Sequence, residues 1–189
     1  MAAKSNLKNM ALCLSLVCLV CSAILAVVYA VTAGPIKAAE QKALVESISQ
    51  VLPSGGELSD VASAEFDGKK FDYYVSTADG VPAAYAVKST TIGFGGPLSI
   101  MVGVLPDGTV YNTSVLSHSE TPGLGAKCNT DTKFMEQWKG LGTDKVIKVT
   151  KDGGDIDAIT ASTITSRAYS LAVSNAVAFV KSIAKAEEE

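Results

Sequence analysis

The sequence predicts an α+β protein: a single N-terminal transmembrane helix, then one domain of antiparallel β-hairpins closed by a long C-terminal helix. Three observations carry this prediction. No charged residue occurs from Asn9 to Ile36, a stretch rich in Leu, Val, Ala and Cys. Two pairs of β-prone segments between Phe71 and Leu116 flank short Gly-containing turns. Apolar residues recur at helical spacing from Thr163 to Ala184.

The apolar run comes first. Met10 to Val31 is nearly continuous in apolar residues. About 20 residues at about 1.5 Å each match a hydrocarbon core of about 30 Å, so one helix spans it. A cleaved signal peptide is the rival reading, since Ala30-Val31-Thr32-Ala33 has small residues at a cleavage-like spacing. Signal h-regions, at about 7–15 residues, are shorter than this run. Lys4, Lys8 and the amino terminus precede the helix, whereas Lys37 and Lys42 after it are offset by Glu40 and Glu46. The positive-inside rule places the N-terminus in the cytoplasm and the rest outside. The expected division is a cytoplasmic N-terminus over residues 1–9, a transmembrane helix over 10–33, a juxtamembrane helix and linker over 34–56, and an extracytoplasmic domain over 57–189.

Composition excludes several functions. All nineteen acidic residues and fourteen of the sixteen basic ones follow the apolar run. An acidic domain lacks the electrostatic footprint of a nucleic-acid binder. A single histidine, His118, makes no multi-histidine metal site. Cys13, Cys18 and Cys21 lie in the apolar span, where cysteine packs as a small soft residue. Cys128 is alone after it, so the domain has no internal disulfide.

Helical spacing continues through Ile36, Ala39, Ala43, Leu44 and Ile48 up to Pro53 and the Gly55-Gly56 break. Residues 71–75 and 83–87 flank Ala78-Asp79-Gly80, and residues 98–104 and 109–116 flank Pro106-Asp107-Gly108, giving two hairpins. Asp131 to Lys139 reads as a short helix capped by Asn129 or Thr130. Lys145 to Val149 reads as one more strand. In the last helix, Ala168, Leu171, Ala172, Asn175, Ala176, Phe179, Val180 and Ile183 form the expected buried stripe. The acidic end, Glu187-Glu188-Glu189, opposes the helix dipole and is expected to fray.

Two loops carry chemistry. His118-Ser119-Glu120-Thr121-Pro122-Gly123-Leu124-Gly125 follows a strand. Its Pro and Gly serve a tight turn, but a turn alone has no use for His118, Glu120 and Thr121. The second loop, Asp157 to Ser166, holds Thr160, Ser162, Thr163, Thr165 and Ser166 at the start of the last helix. One or two hydroxyls cap a helix; five point instead to an anion site, where amides and dipole favour phosphate. No Walker run, G-x-G-x-x-G or G-x-S-x-G is present, so a nucleoside triphosphate, a Rossmann cofactor and serine-hydrolase chemistry are not indicated.

These loops, in this order and behind one anchor, resemble the FMN-binding domain of bacterial membrane redox complexes. The nearest likeness is to the G subunit of the Rnf complex, and the next to the C subunit of the sodium-translocating NADH:quinone reductase. His118 to Gly125 follows that family's His-x-Glu-Thr-Pro-Gly-Leu-Gly loop throughout. Asp157, Thr160, Thr163 and Thr165 fill its attachment pattern, Asp-x-x-(Ser/Thr)-Gly-Ala-Thr-x-(Ser/Thr). Ala161 stands where glycine is usual and Ser162 where alanine is usual. Ile92 to Pro97 is similar to the family's aromatic-glycine segment.

The resemblance implies FMN joined covalently to Thr163 as a phosphoester by a flavin transferase. It implies phosphate contacts from Thr160, Ser162, Thr165 and Ser166. The His118 loop would cover the ring, with polar contacts from Glu120 and Thr121, an apolar one from Leu124 and stacking by Phe94; Gly123 and Gly125 would permit close approach. It further implies an electron-transfer subunit, inactive alone, within a ferredoxin:NAD oxidoreductase that moves Na⁺ or H⁺, its partners being the complex's membrane and peripheral subunits. Other readings stay open: the quinone reductase subunit, a stand-alone anchored flavoprotein, a non-redox phosphate-binding module, and a structural assembly subunit.

Overall fold

The structure is a computed structural model that describes residues 7–187. The terminal charges at Met1, Lys4 and Glu188-Glu189 lie outside the described residues. The chain divides into two compact units after Ala43. The first belongs to helix α1, Leu7–Val51, a single helix of 45 residues that carries Pro35 inside it. Nearly every side chain from Leu7 to Ala43 is exposed, including Leu12, Leu14, Leu16, Leu19, Ile24 and Leu25. Such a helix is long and apolar enough to cross a membrane. The expected helical continuation past the apolar run is therefore present, without a break at Pro35.

The second unit is a six-stranded antiparallel sheet between two helical layers. Its strands are β1 (Glu57–Leu58), β2 (Ala62–Phe66), β3 (Lys69–Ala78), β4 (Val81–Ile92), β5 (Pro97–Val104) and β6 (Val110–His118). The order is β1-β3-β4-β5-β6, with β2 also pairing β3. Both expected hairpins form. Asp79 (φ 54°) and Gly80 (φ 79°) are left-handed, which gives the β3–β4 turn the twist that two-residue hairpins favour. Asp67 (φ 51°) and Gly68 (φ 68°) do the same between β2 and β3, a hairpin not anticipated.

The strands alternate between two cores. Tyr85, Val87, Leu98, Ile100, Val102 and Val104 face helix α3, Thr163–Glu187. Ala84, Ala86 and Met101 face the other way, onto Ile48 and Val51 at the end of α1 and Leu52 just after it. A Cβ on Gly103 would collide with the Val51 carbonyl, so this glycine sets how closely that helical end seats on β5. Asn112 Nδ2 also donates to the Gln50 carbonyl at 2.9 Å. On the opposite face, Thr91 Oγ1 donates to the Ala168 carbonyl at 2.9 Å and ties β4 to α3.

Three expectations need correction. Helix α2 covers only Thr132–Glu136, and its cap is Asp131 rather than Asn129 or Thr130. Asp131 Oδ1 accepts from Lys133 N (3.0 Å) and Phe134 N (3.3 Å), and a carboxylate suits the positive helix end. Lys145 to Val149 is not a strand. Its backbone closes locally: Asp155 Oδ2 accepts from Val146 N at 2.7 Å, and only Val149 bridges to Ile156. In α3, Leu171 is 52% exposed while Tyr169 and Val173 are fully buried. Trp138 stacks on Tyr169 and Phe134 meets it edge-on, which rotates the buried stripe toward that side chain.

Candidate functional site

The two hydroxyl- and glycine-rich loops meet. A cleft of about 330 Å³ is lined by Phe94, Glu120, Thr121, Leu124 and the run 161–165 at the start of α3. That volume lies within the usual range for a bound small molecule. Phe94, 70% exposed, and Leu124 give it apolar walls at the mouth.

Local backbone chemistry builds the floor. Ser162 N donates to the Ile159 carbonyl (3.0 Å), closing a turn whose second corner, Ala161, is left-handed at φ 62°. Glycine adopts that conformation freely, and alanine at a cost of about 1–2 kcal/mol. The glycine usual at this position in the resembled pattern thus has a physical reason, and this chain carries strain there instead. The Ser162 carbonyl then accepts from Ser166 N (3.0 Å), the first bond of α3. Amides of the first helical turn have no partner within the helix and point out of its positive end.

Ser162 bears on whether an anion fits. Three buried side-chain atoms lack a partner among the described residues, Ser89 Oγ, Trp138 Nε1 and Ser162 Oγ, and of these only Ser162 belongs to a residue that lines the cleft. It is only 7% exposed. An unpaired buried hydroxyl costs about 1–3 kcal/mol unless a ligand uses it. It lines the cleft beside Thr163. An orphaned donor and open helix-start amides fit a phosphate group.

Glu120 is the second buried polar residue here, 6% exposed. Its Oε1 accepts from Phe94 N (2.8 Å) and Gly95 N (3.4 Å), and its Oε2 from Thr165 Oγ1 (2.8 Å). Glycines make room for it: a Cβ on Gly93 or Gly125 would collide with this carboxylate, and one on Gly95 with the Ser119 carbonyl. Beneath the loop lies Cys128, fully buried. Burial first, and the Glu120 charge second, push its thiol up to about 11, so it is not a reactive thiolate at neutral pH.

Of the residues singled out from sequence, Phe94, Glu120, Thr121, Leu124, Ser162, Thr163 and Thr165 come together in the cleft. The others have different surroundings. Ser166 is a brace, donating to the Ser162 carbonyl (3.0 Å) and accepting from Ile159 N (2.9 Å). His118 Nδ1 accepts from Glu120 N at 3.3 Å. Gly123 takes a left-handed turn at φ 76°. Thr160 and Asp157 line a separate hollow with Asp131, Lys133 and Gln137. No group of three or more metal-ligating side chains occurs among the described residues. Ala161, Ile164 and the Gly95 amide were not anticipated; the left-handed corner has no signature in an Ala-Ser dipeptide.

Residues 93–178 match the FMN-binding domain family, and residues 1–51 match the RnfG N-terminal region. The G subunit of the ion-translocating oxidoreductase complex of Shewanella baltica is 35% identical, covering 87% of this chain and 84% of its own. The G subunit of the proton-translocating ferredoxin:NAD(+) oxidoreductase complex of Clostridium ljungdahlii is 34% identical, covering 87% and 86%. Among solved structures, Shewanella oneidensis NqrC aligns with a TM-score of 0.49 over 74% of each chain at 19% identity. By sequence over most of its length, the chain belongs to the RnfG family, the G subunits of ion-translocating oxidoreductase complexes.

Proposed function

We propose that this chain is the membrane-anchored flavin subunit of an Rnf-type ferredoxin:NAD oxidoreductase coupled to Na⁺ or H⁺ translocation, with FMN held as a phosphoester on Thr163. It relays electrons between other subunits of the complex and does not turn over alone. The observation that carries the reading is the buried, unpartnered Ser162 hydroxyl beside Thr163 at the open end of α3. The relatives support the rest, since they are named as the G subunits of such complexes.

FMN supplies the redox chemistry when bound, while the protein orients it and sets its environment. Ser162 Oγ and the first-turn amides of α3 hold the phosphate, and the helix dipole offsets part of its charge. Thr165 is committed to Glu120, so it shapes the cleft from behind. Phe94 and Leu124 present apolar surface to the ring, with Thr121 as the polar edge. Thr160 and Asp157, on the hollow beside the cleft, are left accessible to the flavin transferase that makes the bond. Helix α1 anchors the chain, its N-terminus cytoplasmic and the flavin domain on the outer side.

The test is co-expression of the full chain with a flavin transferase, followed by a denaturing gel and mass spectrometry of the band. Flavin fluorescence at the band, lost in Thr163→Ala, is the expected result. Fluorescence persisting in that variant moves the bond to another hydroxyl, Ser162 first. A band without flavin in the parent chain overturns the covalent reading and leaves a non-covalent phosphate site.

A further inference from the structure

Glu120 is not explained by the cleft's lining alone. Its carboxylate is buried, and both oxygens accept hydrogen bonds from neutral donors on two other segments, residues 94–95 and α3. Three glycines are packed around these contacts so tightly that side chains there would collide with Glu120 or its neighbour Ser119. No cation lies within ion-pair distance of it among the described residues; the ion pair found there is Arg167–Asp152. A buried carboxylate is normally paired with a cation, because desolvating a lone charge is costly. Here three hydrogen bonds stabilise a net negative charge in the wall of the cleft.

We propose that Glu120 is a positioning residue for the redox reaction: it pins the aromatic-glycine loop and the start of α3 into one cleft, and its fixed charge holds the reduction potential of the flavin there low. The potential-setting half rests on the FMN reading above; the pinning half stands on this chain alone. A negative charge in a low-dielectric wall opposes the arrival of an electron beside it. Burial first, and this same charge second, raise the Cys128 thiol.

Glu120→Gln separates the two roles. The amide oxygen still accepts from Phe94 N and Gly95 N, and Thr165 Oγ1 can turn to accept from the new NH₂, so the pin survives and the charge goes. Glu120→Ala removes both. The full-length chain is studied in lipid nanodiscs, with and without loaded flavin. In the flavin-free chain, hydrogen exchange at the Phe94 and Gly95 amides should accelerate at least about tenfold in Glu120→Ala and stay near parent in Glu120→Gln. In the loaded chain, Glu120→Gln should favour reduction about tenfold, which for one electron is about 59 mV upward.

Unchanged exchange in Glu120→Ala overturns the pin, and an unchanged potential in Glu120→Gln overturns the charge. A merely structural Glu120 would leave the potential of the isosteric variant where it was. A parent chain that carries no flavin overturns the functional reading and the potential-setting half with it, while the exchange measurement still decides the pin.

Discussion

The two halves of α3 are built on opposite terms. Toward its C-terminal half, Phe179 is fully paired: it stacks on Phe71 at 4.8 Å between ring centres and meets Tyr73 (5.3 Å) and Phe66 (6.3 Å) edge-on. At its N-terminal end the chain tolerates a left-handed alanine, an orphaned serine hydroxyl and a buried carboxylate without a cation among the described residues. One end of the helix supplies stability, and the other spends part of it on a site. Sites of this kind are where locally unfavourable choices gather.

Substitutions can break or sharpen this contrast. The largest effect is expected at the paired end. Phe179→Ala should cost about 3–5 kcal/mol, read as a lower denaturant midpoint, because it opens a cavity among three aromatic partners. Folded molecules of this variant should still accept flavin at Thr163, and a variant that is stable but cannot be loaded would show that the two ends are coupled.

At the strained end the signs reverse. Ala161→Gly should stabilise the flavin-free chain by about 1 kcal/mol, the relief at a positive φ exceeding glycine's extra chain entropy. A loss of stability in chemical denaturation would mean that the corner is not strained. Ser162→Ala should also stabilise, by up to about 1 kcal/mol, since it removes an unsatisfied hydroxyl without removing a bond. If it destabilises instead, Oγ has a partner in solution and the phosphate argument weakens.

The smallest effect lies on the exposed side of the first turns. Arg167 Nε and Nη2 each donate to Asp152 at 2.7 Å, and these bonds hold the Asp152 carboxyl below its usual range. A lowered carboxylate pKa contributes stability above the ordinary aspartate value. That contribution is lost as pH falls through the lowered one. Arg167→Met should therefore narrow the gap in thermal midpoint to the parent as pH drops below about 4, and a gap independent of pH would assign the arginine's effect to packing.

What could be read in advance follows the range of the interactions. The hairpins at Asp79-Gly80 and Asp107-Gly108 were legible because two residues dictate each turn. Asp67-Gly68 carried the same signal, but the strand before it is a short edge strand with polar residues, and its pattern is weak. Lys145 to Val149 has the composition of a strand, yet among the described residues it joins no sheet and makes one isolated bridge, Val149 to Ile156. The stripe on α3 was right in period and wrong in phase at Leu171, because the aromatic residues that fix the rotation come from α2 and the segment after it.

The site divides in the same way. Composition and spacing by themselves determined the long apolar helix, the hairpins, the long last helix, and the two loops rich in hydroxyls and glycine, since each depends on neighbours a few residues apart. Only the tertiary structure decided which of those residues share a cleft. Glu120 bonds to partners 25, 26 and 45 residues away, and in the same fold Ser162 and Thr163 line the cleft while Thr160 and Asp157 line a separate hollow. The physical reason is that a buried polar group must find its partners wherever the fold brings them, and that requirement has no local period for a sequence to display.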